Sequence, residues 1–187
     1  MKNNLQVISS LINLHARGAS DPAAHDAYAA IQRRVDALAV VHRNHFAELE
    51  ENRGVAMRAL AGELASNLRA SAPPTASGMP IALNMISANV GQDVAAPVAF
   101  LITEVVELMM FCNPKGSILI SLEATDAPDR ALLRIETLAL AEDALESSPS
   151  FERFERVITG LARQLRSPLD QDTHAGRFAI TIPMMPA

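Results

Sequence analysis

Met1-Lys2-Asn3-Asn4-Leu5-Gln6-Val7-Ile8-Ser9-Ser10-Leu11-Ile12-Asn13-Leu14 opens the chain, and the fold is decided by how this stretch is read. Leu5, Ile8, Leu11, Ile12 and His15 recur at three- and four-residue spacing, which predicts an amphipathic helix over residues 2–17. Gly18, Asp21 and Pro22 then mark a turn. A longer helix is predicted over 24–49, its apolar line running Ile31, Val35, Leu38, His42 and His45/Phe46, close to coiled-coil spacing. Two long helices joined by a short turn form an antiparallel hairpin. A hairpin this apolar cannot cover its own stripe. Pairing with a second copy into a four-helix bundle would cover it, so a homodimer is expected.

The pattern changes downstream. Residues 55–69 read as a third helix with Met57, Leu60, Leu64 and Leu68 on one face, and 71–78 read as a loop rich in Pro, Ser and Gly. A strand is predicted over 81–86. A helix with a wide apolar face follows over 94–111, and Asn113-Pro114-Lys115-Gly116 ends it. Strands at 117–123 and 131–138, joined by the turn Asp126-Ala127-Pro128-Asp129, form a hairpin. A helix at 151–165 and a strand at 177–182 complete the chain. The fold class is α+β: a helical hairpin (1–52), then an α/β sandwich (53–187) with helices on one face of a mixed sheet.

Composition narrows the function classes. Hydrophobic residues make up 49% of the chain, enough for a core, and with aromatics at only 4% that core is aliphatic. Net charge is −5 and the basic residues are scattered, so no electrostatic footprint for nucleic acid exists. One cysteine, Cys112, excludes an internal disulfide and a cysteine-based zinc site; within Leu108-Met109-Met110-Phe111-Cys112 it reads as a small buried hydrophobe. No run approaches the roughly 20 apolar residues of a bilayer span. No basic segment followed by an apolar one opens the chain. No membrane partner and a cytoplasmic location are expected.

The opening stretch resembles the phosphoacceptor helix of HisKA_2/HWE-like sensor histidine kinases, which reads His-Arg-(Val/Met)-Lys-Asn-Asn-Leu-Gln-x-Ile-x-Ser-Leu. On that pattern the phosphorylated histidine falls two residues before Met1. Arg33-Arg34-Val35-x-Ala37-Leu38-Ala39-x-Val41-His42 is similar to the second helix of that family's bundle. Pro97-Val98-Ala99-Phe100-Leu101-Ile102-Thr103-Glu104-Val105-Val106 resembles its ATP-binding N-box helix. Leu161 to Leu165, with Gly176-Arg177-Phe178-x-Ile180-x-Ile182-Pro183, resembles its last helix and strand. The resemblance implies a dimeric helical hairpin followed by an ATPase-like sandwich, and a response regulator receiver domain as partner.

The nucleotide residues of that pattern are replaced. Of the N-box, Glu104 matches, but Thr103 stands at the first Asn position and Leu108 at the Asn that would ligate Mg²⁺, an ion that needs hard oxygen donors. Phe111 and Cys112 stand at the Lys-His positions. The adenine-reading Asp-x-Gly corresponds to Thr137-Leu138-Ala139. The phosphate-covering loop needs glycines so that backbone amides can approach phosphate, yet residues 140–159 contain none and carry Glu142, Asp143 and Glu146 instead. Three independent elements fail together, so the sandwich is expected to be degenerate, with no cofactor and no metal. That is the arrangement of dimeric histidine phosphotransferases.

What chemistry remains lies on the first helix. Asn3 falls four residues after the absent histidine, one turn along the same face. In the resembled kinases that also act as phosphatases, an amide at this spacing orients water against an aspartyl phosphate. Lys2 and Asn4 flank it, Lys2 as a point charge for phosphoryl. Gln6 and Val7 are expected to meet the receiver domain. His15 and His42 read as packing or bundle residues. His45 lacks a suitable third ligand for a metal, and His25 and His174 fall in expected loops. The expected function is histidine phosphotransfer or response-regulator phosphatase action. The alternatives are a non-catalytic module that sequesters a regulator and a divergent active kinase fragment.

Overall fold

The computed structural model describes residues 2–18, 21–47, 54–138, 144–149 and 151–185. The side chains of residues 2–4, 6, 18, 22, 23, 25, 26, 45–47 and 138 lie outside that description. The chain opens with α1 (Lys2–Gly18) and α2 (Pro22–Ala47), the expected hairpin. α2 starts two residues earlier than anticipated, because the fixed φ of proline suits a first helical turn, where its missing N–H has no partner to lose. His25, read as a loop residue, lies on α2.

The third predicted helix is split. Val55–Ala56 is a short strand, β1, and α3 runs Met57–Ala70. β1 pairs antiparallel with β3 (Asn89–Val90), and Gly54, at φ +77°, permits the approach: a Cβ there would come within 2.5 Å of the Val90 carbonyl oxygen.

β2 (Ile81–Met85), α4 (Gln92–Cys112), β4 (Ser117–Ala124), β5 (Arg130–Leu138), α5 (Phe151–Gln164), β6 (Leu169–Asp172) and β7 (Arg177–Pro183) complete the sandwich. The five-stranded sheet has order β2-β4-β5-β7-β6, with β2 parallel to β4 and every other pair antiparallel. Parallel pairing of β2 and β4 requires a crossover, which α4 supplies. β6 escaped sequence reading because Leu-Asp-Gln-Asp lacks apolar alternation. It is an edge strand, where charges discourage pairing with other chains.

Register fixes which face of the sheet is buried. Ile120 sits opposite Ile135, Leu122 opposite Leu133, and these continue to Phe178 and Ile180 on β7, all at most 2% exposed. The alternate positions, Glu123, Arg134, Glu136 and Arg177, turn to the other face and remain half-buried. Arg134 bridges Glu123 across the strands at 3.0 Å. α4 lies on the buried face with thirteen buried residues. By length and composition alone it would pass for a membrane span; here it is the core helix. Phe178 meets Phe154 of α5 edge-on, ring centroids 5.5 Å apart.

Phe178→Ala should therefore cost about 3–5 kcal/mol, read as a lowered urea midpoint. Phe111→Ala, at a side chain 66% exposed, should stay within about 0.5 kcal/mol of wild type.

Candidate functional site

The residues that mark the nucleotide site of the resembled family lie along one side of α4 and at the end of β5. Thr103 is 2% exposed, and its hydroxyl donates to the Ala99 carbonyl at 2.8 Å, one turn back on its own helix. Leu108 is buried at 4% exposure. Glu104 accepts from Arg34 Nε of α2 at 2.7 Å. Phe111 is exposed. Cys112 is half-buried, not fully buried as expected, because it ends the helix where the turn at 113–116 leaves one side open. Burial pushes its thiol up, against a lowering hydrogen bond with Ser148. This side of α4 thus presents apolar groups and occupied hydrogen bonds.

Thr137 is 3% exposed. Its hydroxyl donates to the Ser117 carbonyl at 3.1 Å and accepts from the Asn113 side-chain amide at 3.2 Å, which ties β5 to β4 and to the end of α4. Ala139, Glu142 and Asp143 lie outside the described residues, as does the Leu138 side chain. Of the acidic loop, Leu145 is completely buried, and Glu146 accepts a hydrogen bond from Thr173 at 2.6 Å. The loop is anchored inward by a leucine and outward through a carboxylate.

Lys2, Asn3, Asn4 and Gln6 lie on the first turns of α1, their side chains outside the described set. Val7 is 52% exposed. Helical geometry separates two faces on α1. Leu5, Ser9, Ile12 and Ala16 are half-buried, and Ser9 accepts a hydrogen bond from Gln32 of α2 at 3.0 Å. Val7, Ile8, Leu11 and Leu14 are all exposed, and Ile31 of α2 is as well. His15, on the same helix, stacks against Tyr28. Among the described residues, no three His, Cys, Asp or Glu side chains converge on one point.

Sequence reading missed the ionic contacts between hairpin and sandwich. Arg34 pairs with Glu104, and Arg33 pairs with Glu107. A signal was present: two glutamates three residues apart on one face of an otherwise apolar helix must find cations if that helix is buried. Two adjacent arginines on the preceding long helix were the available source.

Thr137→Val keeps the side-chain shape and removes the hydroxyl that joins Ser117 and Asn113. It should cost about 1–3 kcal/mol in urea unfolding, since the Ser117 carbonyl loses its donor in a buried setting.

Comparison with known proteins adds to this geometry. Residues 1–72 match the HisKA_2 family, described as histidine kinase. No curated protein matches the sequence. Among solved structures, the blue-light activated histidine kinase of Erythrobacter litoralis EL346 aligns with a TM-score of 0.66 at 17% identity, over 85% of this chain and 54% of that one. The chain thus spans about half the length of that kinase. The histidine kinase domain of the same protein aligns at 0.61 and 16% identity over 96% of this chain and 85% of that one. The Acinetobacter baumannii histidine kinase AdeS aligns at 0.53 and 11% identity, over 98% and 97%. The first 72 residues carry the HisKA_2 histidine kinase signature, and the chain as a whole has the fold of a histidine kinase core.

Proposed function

We propose that this two-component, histidine-kinase-like protein handles phosphoryl groups carried by a response regulator receiver domain, as a histidine phosphotransferase or an aspartyl-phosphate phosphatase, and does not use ATP. The observation that carries the reading is Leu108, an apolar side chain only 4% exposed at the position where the kinase pattern places the magnesium-ligating Asn. Hydrocarbon offers Mg²⁺ no lone pair, and opening the site would expose core. Thr137 supports the same reading, because its hydroxyl is engaged with Ser117 and Asn113.

On this proposal the working surface is the start of α1. As a phosphatase, Asn3 holds a water in line with the regulator's aspartyl phosphate. Its amide both donates and accepts, without competing as a base. Water attacks phosphorus, the P–O bond to the aspartyl carboxylate breaks, and inorganic phosphate leaves. Lys2 offsets developing phosphoryl charge, Asn4 flanks it, and Gln6 with Val7 meets the receiver domain. As a phosphotransferase, the same surface delivers the phosphoryl group to the histidine that the family pattern places two residues before Met1 and four before Asn3.

A homodimer belongs to the same proposal. Ile8, Leu11 and Leu14 form an apolar stripe turned away from the side that meets α2, which suits a second hairpin in a four-helix bundle. A cytoplasmic location fits the partner.

Three outcomes are expected. A receiver domain charged from labelled acetyl phosphate should lose its label faster with this protein than alone, to water or to the protein. Asn3→Ala should slow loss to water at least about 10-fold while the circular dichroism spectrum is unchanged. Stoichiometric binding with an unaltered label lifetime would instead support the sequestering alternative. Leu11→Glu should halve the mass seen by light scattering, because a carboxylate in the bundle seam is costly to bury.

A further inference from the structure

We propose that the cleft between the end of α5 and β6 is a binding site for a small organic oxyanion, held by Arg163 and Arg166. The site shares no residue with α1 or α4 and stands apart from the proposed phosphoryl chemistry.

The segment Leu165-Arg166-Ser167-Pro168 ends α5 and leads into β6. Ser167 N–H donates to the Ala162 carbonyl at 3.2 Å and Arg166 N–H to the Arg163 carbonyl at 3.1 Å. This paired closure of a helix end places one residue in the left-handed region. That residue is Arg166, at φ +52°, and no other non-glycine residue among those described has a positive φ. Glycine is the usual occupant, because a Cβ crowds the backbone there. The turn thus carries an arginine where the backbone favours none, and its side chain borders the cleft.

The cleft measures about 450 Å³, within the range of small-molecule sites. Its polar border is Thr159, Arg163, Arg166, Ser167 and Gln171, with no Asp or Glu among the described residues. None of these five side chains hydrogen-bonds or ion-pairs with another described residue. Two guanidiniums therefore stand without a counter-charge in a chain whose net charge is −5. The nearby sheet treats its arginines differently: Arg134 bridges Glu123 at 3.0 Å and Arg177 bridges Asp172 at 3.3 Å. Strand alternation keeps the acids of β6 out of the cleft. Leu169 and Gln171 border it, whereas Asp170 borders a separate groove with Arg134 and Arg177.

Helix capping does not occupy the two arginines. Cations near a helix C-terminus favour its dipole. Yet the last-turn carbonyls of Leu161, Ala162 and Arg163 already accept backbone N–H groups, and neither guanidinium bonds to one. The border selects the ligand instead. Guanidinium forks match a carboxylate or a phosphate, and the Thr159 and Ser167 hydroxyls and the Gln171 amide add donors. Ala162, Pro168 and Leu169 supply an apolar wall. An oxyanion carried on a compact apolar body satisfies both parts.

The test is an NMR titration of the full chain labelled with ¹⁵N-arginine, at constant ionic strength. The probes are phenyl phosphate, benzoate and, as the uncharged control, benzyl alcohol. The Arg163 and Arg166 Nε–Hε signals should shift saturably with at least one anion, half-saturated at about 1–10 mM as suits fragments of this size. They should not do so with benzyl alcohol. A response to phenyl phosphate alone assigns a phosphomonoester, to benzoate alone a carboxylate, and to both the shared oxyanion; each upholds the site. Arg163→Gln should weaken binding about 5-fold. Arg166→Gly should weaken it similarly while the urea midpoint stays level or rises, because glycine suits the left-handed backbone. Three results would overturn the proposal: no saturable shift with either anion, an equal response to benzyl alcohol, or unchanged binding in both variants.

Discussion

A helix as apolar as Gln92–Cys112 has almost no face to give to water, and the rest of the molecule is arranged to cover it. The sheet takes one side, α3 and α5 flank it, and α2 closes over the two glutamates that interrupt its hydrocarbon surface. Each fully buried aliphatic side chain contributes about 1.5–3 kcal/mol, so this helix dominates the stability of the sandwich. The same burial dictates the ion pairs: Glu104 and Glu107 cannot enter a low-dielectric seam without cations, and the hairpin supplies both from adjacent positions. Packing and charge thus tie the two halves of the chain together at one helix.

That arrangement bears on the candidate sites at both ends. A nucleotide site of the kinase kind needs polar side chains along α4 and an acidic residue at the end of β5. Here the corresponding positions are Leu108, sealed into the core, and Thr137, bonded to the two elements beside it. Glu104 retains the residue type of the resembled pattern, yet its partner is Arg34. The start of α1 has the opposite character: an exposed apolar stripe from Val7 to Leu14, and a polar segment at its beginning that lies within the HisKA_2 match. The proposal assigns signalling chemistry to the exposed end and scaffolding to the buried one.

Much of this was legible in the sequence. The three-and-four spacing of α1 and α2, the period-two alternation of β4, β5 and β7, and the wide apolar face of α4 each follow from side-chain direction on regular backbone. What was missed was non-local or weakly patterned. β1 and β3 are two residues each and exist through their mutual pairing, made possible by Gly54. β6 has a polar edge-strand sequence with no alternation to read. Thr137 was visible as a departure from the kinase pattern, but its bonds to Ser117 and Asn113 depend on strand register and on where α4 ends. The Arg33 and Arg34 pairs span some seventy positions of sequence, a separation that pattern reading does not reach.

The proposed loss of nucleotide binding is tested most directly by calorimetric titration of the protein with a non-hydrolysable ATP analogue in the presence of Mg²⁺. With Leu108 in the core and Thr137 engaged, no binding heat is expected up to millimolar nucleotide. A saturable isotherm in the micromolar range that disappears when Mg²⁺ is withheld would contradict the account and return the chain to the ATP-dependent kinases.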